Sequence, residues 1–152
     1  AIKLNKANPQ HLVFEITETG AVSNITTAEE IMIKIKSLGC QFALDDFGIG
    51  FSSFHYLRKL PVDYVKIDGS FVIDLANNSD NKVLVQSLSD VAIGFNKLTV
   101  AEFVDSRQTL EILKQAKINF AQGYFIGKPS AQIPVQIPDI LYSYKIDKAA
   151  TH

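Results

Sequence analysis

Asp45 and Asp46 stand side by side where a short run, Gln41-Phe-Ala-Leu44, gives way to a glycine-punctuated loop, Phe47-Gly-Ile-Gly-Phe-Ser-Ser53. Two adjacent carboxylates at a strand end repel each other unless a counter-charge holds them, and binding of a divalent cation by hard oxygen ligands is the chemistry that suits them. Lys66, Glu102 and Gln122 each close a later apolar run, and Glu15 closes an earlier one. Taken alone, the aspartate pair would read as a turn held by an Asx-type hydrogen bond. Lys66 alone would be an exposed lysine, Glu102 a helix-capping acid and Gln122 an amide serving nearby backbone. The repetition of polar residues at run after run favours a shared site. His11, His55 and His152 lack the spacing of metal ligands and read as surface or packing residues.

The elements that must position these groups follow from periodicity and punctuation. Strands are expected at 12–16, 41–45, 63–67, 98–102 and 118–122. Helices are expected from the capping-box spacing Thr27-Ala-Glu-Glu30 to Gly39, from Ser52 or Ser53 to 60, as a short piece at 70–76, at 80–96 with Val83, Leu84, Leu88, Val91 and Ala92 on one side, and from a cap at Asp105 or Ser106 onward with Leu110, Ile112 and Leu113 inward. Strand alternating with helix implies βαβ units and a parallel sheet. In a β/α barrel the C-terminal strand ends form one face on which catalytic groups from several strands converge. A doubly wound open sheet is the alternative, but it gathers ligand contacts at a switch point instead of using each strand in turn. The fold class is therefore α/β, a partial TIM-type barrel of about five parallel strands, since a complete one needs eight strands and about 250 residues. Residues 1–130 form this portion, and 131–152, with Pro134 and Pro138, read as a tail or terminal helix.

Composition narrows the class of function. The 152 residues are 47% hydrophobic and 20% charged, enough for one packed core. Fifteen basic residues against 16 acidic ones leave a net charge of -1, so no duplex nucleic acid partner is expected and an anionic ligand must be held locally. The single cysteine, Cys40, excludes an internal disulfide and fits a small buried apolar residue in a reducing compartment. No apolar run approaches a membrane span, so a cytoplasmic chain without direct membrane insertion is expected, within a parent protein that could carry its own anchor.

The motifs Phe14-Glu-Ile-Thr-Glu18, Asp45-Asp-Phe-Gly-Ile-Gly-Phe-Ser-Ser53, Leu60-Pro-Val-Asp-Tyr-Val-Lys-Ile-Asp68, Val100-Ala-Glu102 and Gln122-Gly-Tyr-Phe-Ile-Gly-Lys-Pro129 resemble, in order and spacing, the EAL domain, the bacterial phosphodiesterase module for cyclic di-GMP. The resemblance implies hydrolysis of cyclic di-GMP to linear pGpG at a two-metal site holding Mg2+ or Mn2+. It implies Glu15, Asp45, Asp46 and Glu102 as metal ligands, with Glu102 a ligand or the base acting on the attacking water and Lys66 holding that water and offsetting phosphate charge. Gln122 would support this shell. Glu18 would brace the loop of Phe47, Gly48, Gly50 and Ser52, which in the family links substrate binding to dimer contacts.

Neither the early strand bearing Glu-Ala-Leu nor the next one bearing an Asn ligand is found in the sequence, so the match is to the C-terminal part of the domain and the metal site is incomplete in this chain. Ile49 and Phe51 replace the usual Thr and Tyr, Phe103 stands where Gly is common, and Asp105 where Glu is usual. Two readings stay open: a phosphodiesterase present as a partial domain inactive alone, and a non-catalytic module that binds cyclic di-GMP or another protein. The open sheet edges, with interior positions Val13, Ala43, Tyr64, Val100 and Phe120 uncovered, predict a homo-oligomer or pairing with a missing N-terminal barrel half.

Overall fold

The computed structural model describes residues 8–17, 25–50 and 53–129; Glu18, Ser52 and the expected tail at 131–152 lie outside the described residues. Five strands, β1 (Val13–Thr17), β2 (Gln41–Phe47), β3 (Tyr64–Ile67), β4 (Leu98–Ala101) and β5 (Phe120–Ala121), alternate with helices α1 (Ile25–Lys36), α2 (Ser53–Lys59), α3 (Gly69–Val72), α4 (Ser79–Gly94) and α5 (Arg107–Gln115). Every pairing is parallel, and the order across the sheet is the order along the chain. A doubly wound sheet reverses its strand order at a switch point. None of the five strands does so, and the sheet is an arc of a TIM-type barrel.

Local chemistry explains most element ends. Gly39, at φ +97, stops α1 and donates its N–H to the Lys36 carbonyl at 2.8 Å. The helix begins at Ile25, ahead of the expected capping box, so Thr27 lies inside its first turn. Asn78 caps α4 by accepting from the N–H groups of Asp80 and Asn81, and Ser106 caps α5 by accepting from Thr109 N at 3.1 Å. On α4 the buried side is Val85, Leu88, Ser89 and Ala92, while Val83 and Leu84 face outward, a rotation of the expected stripe. Both stripes satisfy helical periodicity, and only contact with the sheet chooses between them.

Strand β5 is shorter than expected because side chains replace its first rungs. Asn119 Oδ1 accepts from Thr99 N at 2.8 Å, and Asn119 N donates to Thr99 Oγ1 at 3.0 Å. These bonds keep buried polar groups paired where the backbone ladder has not begun.

The pleat sends alternate residues to opposite faces. Phe42, Leu44, Val65, Ile67 and Ala101 pack with Leu57, Val72, Val85, Leu110 and Leu113 in the core between sheet and helices. Of the expected interior positions on the other face, Ala43 is buried, Tyr64 and Val100 are half-buried, and Val13 and Phe120 remain 46% and 47% exposed. At the strands' N-terminal end Asp63 joins three elements: its carboxylate pairs with Lys36 of α1 and accepts from Phe42 N of β2 at 2.9 Å, and its carbonyl accepts from Leu98 N of β4 at 3.1 Å. The opposite end is left for chemistry.

Candidate active site

Strand β2 carries both aspartates through an irregularity. Leu44 pairs with Val65 and Phe47 with Ile67, so β2 uses one residue more than β3 over this stretch. Asp46, at φ +58, is where the chain turns. In an unbroken pleat Asp46 would enter the apolar layer with Leu44. The bulge lets Phe47 take that place, fully buried and edge-to-face with Phe54, and keeps both carboxylates out of the core. Gly48, at φ +106, follows, and a Cβ there would come within 2.9 Å of Leu88 and Phe71.

Lys66 is the hub. Its Nζ lies 2.8 Å from Glu102 Oε1, 2.9 Å from Asp45 Oδ1 and 3.0 Å from Glu15 Oε2. The lysine side chain is 7% exposed, those of Glu102 and Asp45 are 12% and 20% exposed, and Glu15 reaches in from the rim. Burial pulls the ammonium's pKa down, but Glu102, Asp45 and Glu15 outweigh it and hold the pKa above the ordinary lysine value. Gln122 Nε2 donates to Glu102 Oε1 at 2.9 Å. Strands β1, β2 and β3 and the residues just after β4 and β5 thus each supply one member of a single cluster.

The four expected metal ligands are not arranged as a preformed cage. Among the described residues no group of three or more His, Cys, Asp or Glu side chains stands in position to hold a metal ion. Three of the four close on Lys66 instead, and Asp46 stands at the bulge. The donor set nevertheless suits a hard divalent cation, because all its atoms are carboxylate oxygens. Asp45 Oδ1 is buried, with the Lys66 ammonium 2.9 Å away as its counter-charge.

A cleft of about 630 Å³ adjoins the cluster, lined by residues 103–105, 122–124 and 127–129. Phe103 adopts φ +55, a conformation that favours glycine, and its exposed ring lies against Gly69, where a Cβ would come within 2.2 Å. Asp105 accepts from Thr109 Oγ1 at 3.1 Å. The exposed Tyr124 carries Lys128 above its ring at 5.6 Å. Tyr124 and Lys128 have no periodic or charge signal of their own in the sequence; the fold puts them in one cleft with Asp105 and Gln122.

The family model described as "EAL domain" matches residues 1–129. The chain belongs to the EAL domain family. Cyclic di-GMP phosphodiesterase PdeB of Shewanella oneidensis is 50% identical over 120 residues, covering 79% of this chain and 14% of that protein. The solved FimX EAL domain from Pseudomonas aeruginosa bound to c-di-GMP superposes with a TM-score of 0.83 at 34% identity, covering 90% of this chain and 56% of that one. A c-di-GMP complex of the PaMucR phosphodiesterase gives 0.78 at 32% identity, covering 84% and 52%. This EAL chain therefore spans about half of the solved domains and a small share of the curated relative. Among the described residues no helix is long and apolar enough to cross a membrane.

Proposed function

We propose that this chain is the C-terminal portion, residues 1–130, of a metal-dependent phosphodiesterase that hydrolyses cyclic di-GMP to linear pGpG in bacterial second-messenger signalling. The observation that carries this reading is the convergence of Glu15, Asp45, Lys66, Glu102 and Gln122 at the C-terminal ends of five consecutive strands. Glu15, Asp45, Asp46 and Glu102 would hold Mg2+ or Mn2+. The bound ions would supply a water of lowered pKa and neutralise charge on the phosphodiester. Lys66 orients that water and offsets phosphate charge, Glu102 takes its proton, and Gln122 keeps the Glu102 carboxylate turned toward it. The water oxygen would bond to phosphorus as the bond from phosphorus to one ribose oxygen breaks, the proton taken up by Glu102 would pass to that leaving oxygen, and the ring would open. We place the module in the cytoplasm, as the lone cysteine suggests, with a second copy or an N-terminal barrel half as its partner.

A non-catalytic cyclic di-GMP-binding module is the second reading, favoured by the closure of three carboxylates on Lys66 where a metal cage is expected. One comparison separates the two. In the native gene product, Asp45→Asn should lower Mg2+- or Mn2+-dependent pGpG formation by several orders of magnitude while circular dichroism stays unchanged. Cyclic di-GMP binding without turnover by the unsubstituted protein would select the second reading, and full activity in Asp45→Asn would overturn the site assignment.

A further inference from the structure

The cleft beside the cluster contains a residue that packing does not explain. Phe103 holds φ +55, a left-handed conformation that a bulky side chain adopts only at a cost, yet its ring remains 61% exposed. Burial returns little for that strain. The ring is nonetheless set in place: a Cβ on Gly69 would meet Phe103 Cδ2 at 2.2 Å and Cγ at 2.8 Å, so the ring settles there only because the first residue of α3 is glycine. A strained backbone, an exposed ring and a neighbour cut back to make room for it point to a ligand.

We propose that Phe103 is a stacking platform for one guanine base of cyclic di-GMP, a contact this chain adds at a position where its family commonly has glycine. The proposal rests on the cyclic di-GMP reading above and holds for its catalytic and its non-catalytic form alike. Phe103 directly follows Glu102, whose carboxylate lies 2.8 Å from Lys66 Nζ and accepts from Gln122 at 2.9 Å. Gln122 and Phe103 in turn line the same cleft, so a phosphodiester held at Lys66 has that cleft beside it for the attached ribose and base. Its volume of about 630 Å³ is that of a small-molecule site. Of the two aromatic rings lining it, Tyr124 already carries Lys128 at 5.6 Å, and Phe103 is the ring left for a base. Every base has a π-face, and stacking on an aromatic side chain strengthens binding by about tenfold to a hundredfold per base.

The test is calorimetric binding of cyclic di-GMP to the native gene product as wild type, Phe103→Gly, Phe103→Leu and Phe103→Tyr. Glycine removes the ring and suits φ +55, so Phe103→Gly keeps the fold, which circular dichroism checks. Stacking predicts binding about tenfold weaker or more in Phe103→Gly, a smaller loss in Phe103→Leu and near-wild-type affinity in Phe103→Tyr. A second readout separates stacking from an indirect effect on Glu102: the ring current of Phe103 should move the H8 resonance of one bound guanine upfield in wild type relative to Phe103→Leu. Equal affinity in Phe103→Gly, or weaker affinity with the same H8 position in wild type and Phe103→Leu, would overturn the platform while the cyclic di-GMP reading stands. No binding by the wild-type protein would overturn both.

Discussion

Removing the Lys66 charge leaves Glu102 and Asp45 largely buried with no counter-ion, which is a larger loss than removing one contact. Breaking a buried ion pair by deleting one partner costs about 3 to 5 kcal/mol, and the exposure of Glu15 puts this case at the lower end. Lys66→Met should therefore lower metal-free stability by about 3 kcal/mol in urea unfolding. The double variant Lys66→Met with Asp45→Asn should recover part of that loss, because one repelling charge has also gone; strict additivity would argue against coupling. The pH dependence has a definite sign. The folded pKa of Lys66 stands above its unfolded value, so its contribution is fully present at neutral pH. It is lost only as pH rises beyond the ordinary lysine range. A Lys66 contribution that already declined between pH 7 and 9, measured as the difference between wild type and Lys66→Met, would contradict this.

At the scale of elements, the site depends on backbones that approach closely after β4 and β5. Gly123 sits against Val104, where a Cβ would come within 2.2 Å of the Val104 carbonyl oxygen and 2.3 Å of its nitrogen. Val104 N also donates to the Gln122 carbonyl at 3.0 Å, so the two segments cannot part without losing that bond. A flexible side chain could yield, but this neighbour is backbone. Gly123→Ala should cost about 1 to 3 kcal/mol through overpacking and shift Gln122 away from Glu102. Thermal unfolding checks the first effect, and the shift of the Gln122 side-chain amide resonance checks the second. Stability equal to wild type would show that the loops separate freely. The β2 bulge belongs to the same scale, since it is what allows consecutive aspartates to leave the core together.

The whole described molecule is a sheet with helices packed on one face and apolar residues open on the other. Among the described residues, β1 and β5 each pair on one side only, and Val13 and Phe120 remain nearly half exposed beside them. Unpaired strand edges next to exposed apolar side chains favour association. The 16.8 kDa chain should therefore run as a dimer or larger species in gel filtration with light scattering. A stable monomer across a wide concentration range would show that the open face is covered in some other way.

The order of elements, the parallel sheet and the residues closing each strand were legible in the sequence because strand and helix periods differ and polar residues interrupt apolar runs at visible points. Asp45, Lys66 and Glu102 could be named from those interruptions alone. Their partners could not. Whether Asp46 enters the apolar layer or leaves it depends on a bulge that adds one residue to β2, and no local preference of Asp45-Asp46 specifies that bulge. The α4 stripe was read one step out of place because Val83 and Leu84 suit a helix face as well as Val85 and Ser89 do. Long-range packing resolved both. The sequence determined which groups could do chemistry and in what succession, and the tertiary structure decided that three carboxylates meet one ammonium, because that meeting joins segments far apart along the chain through distances that only a folded sheet can set.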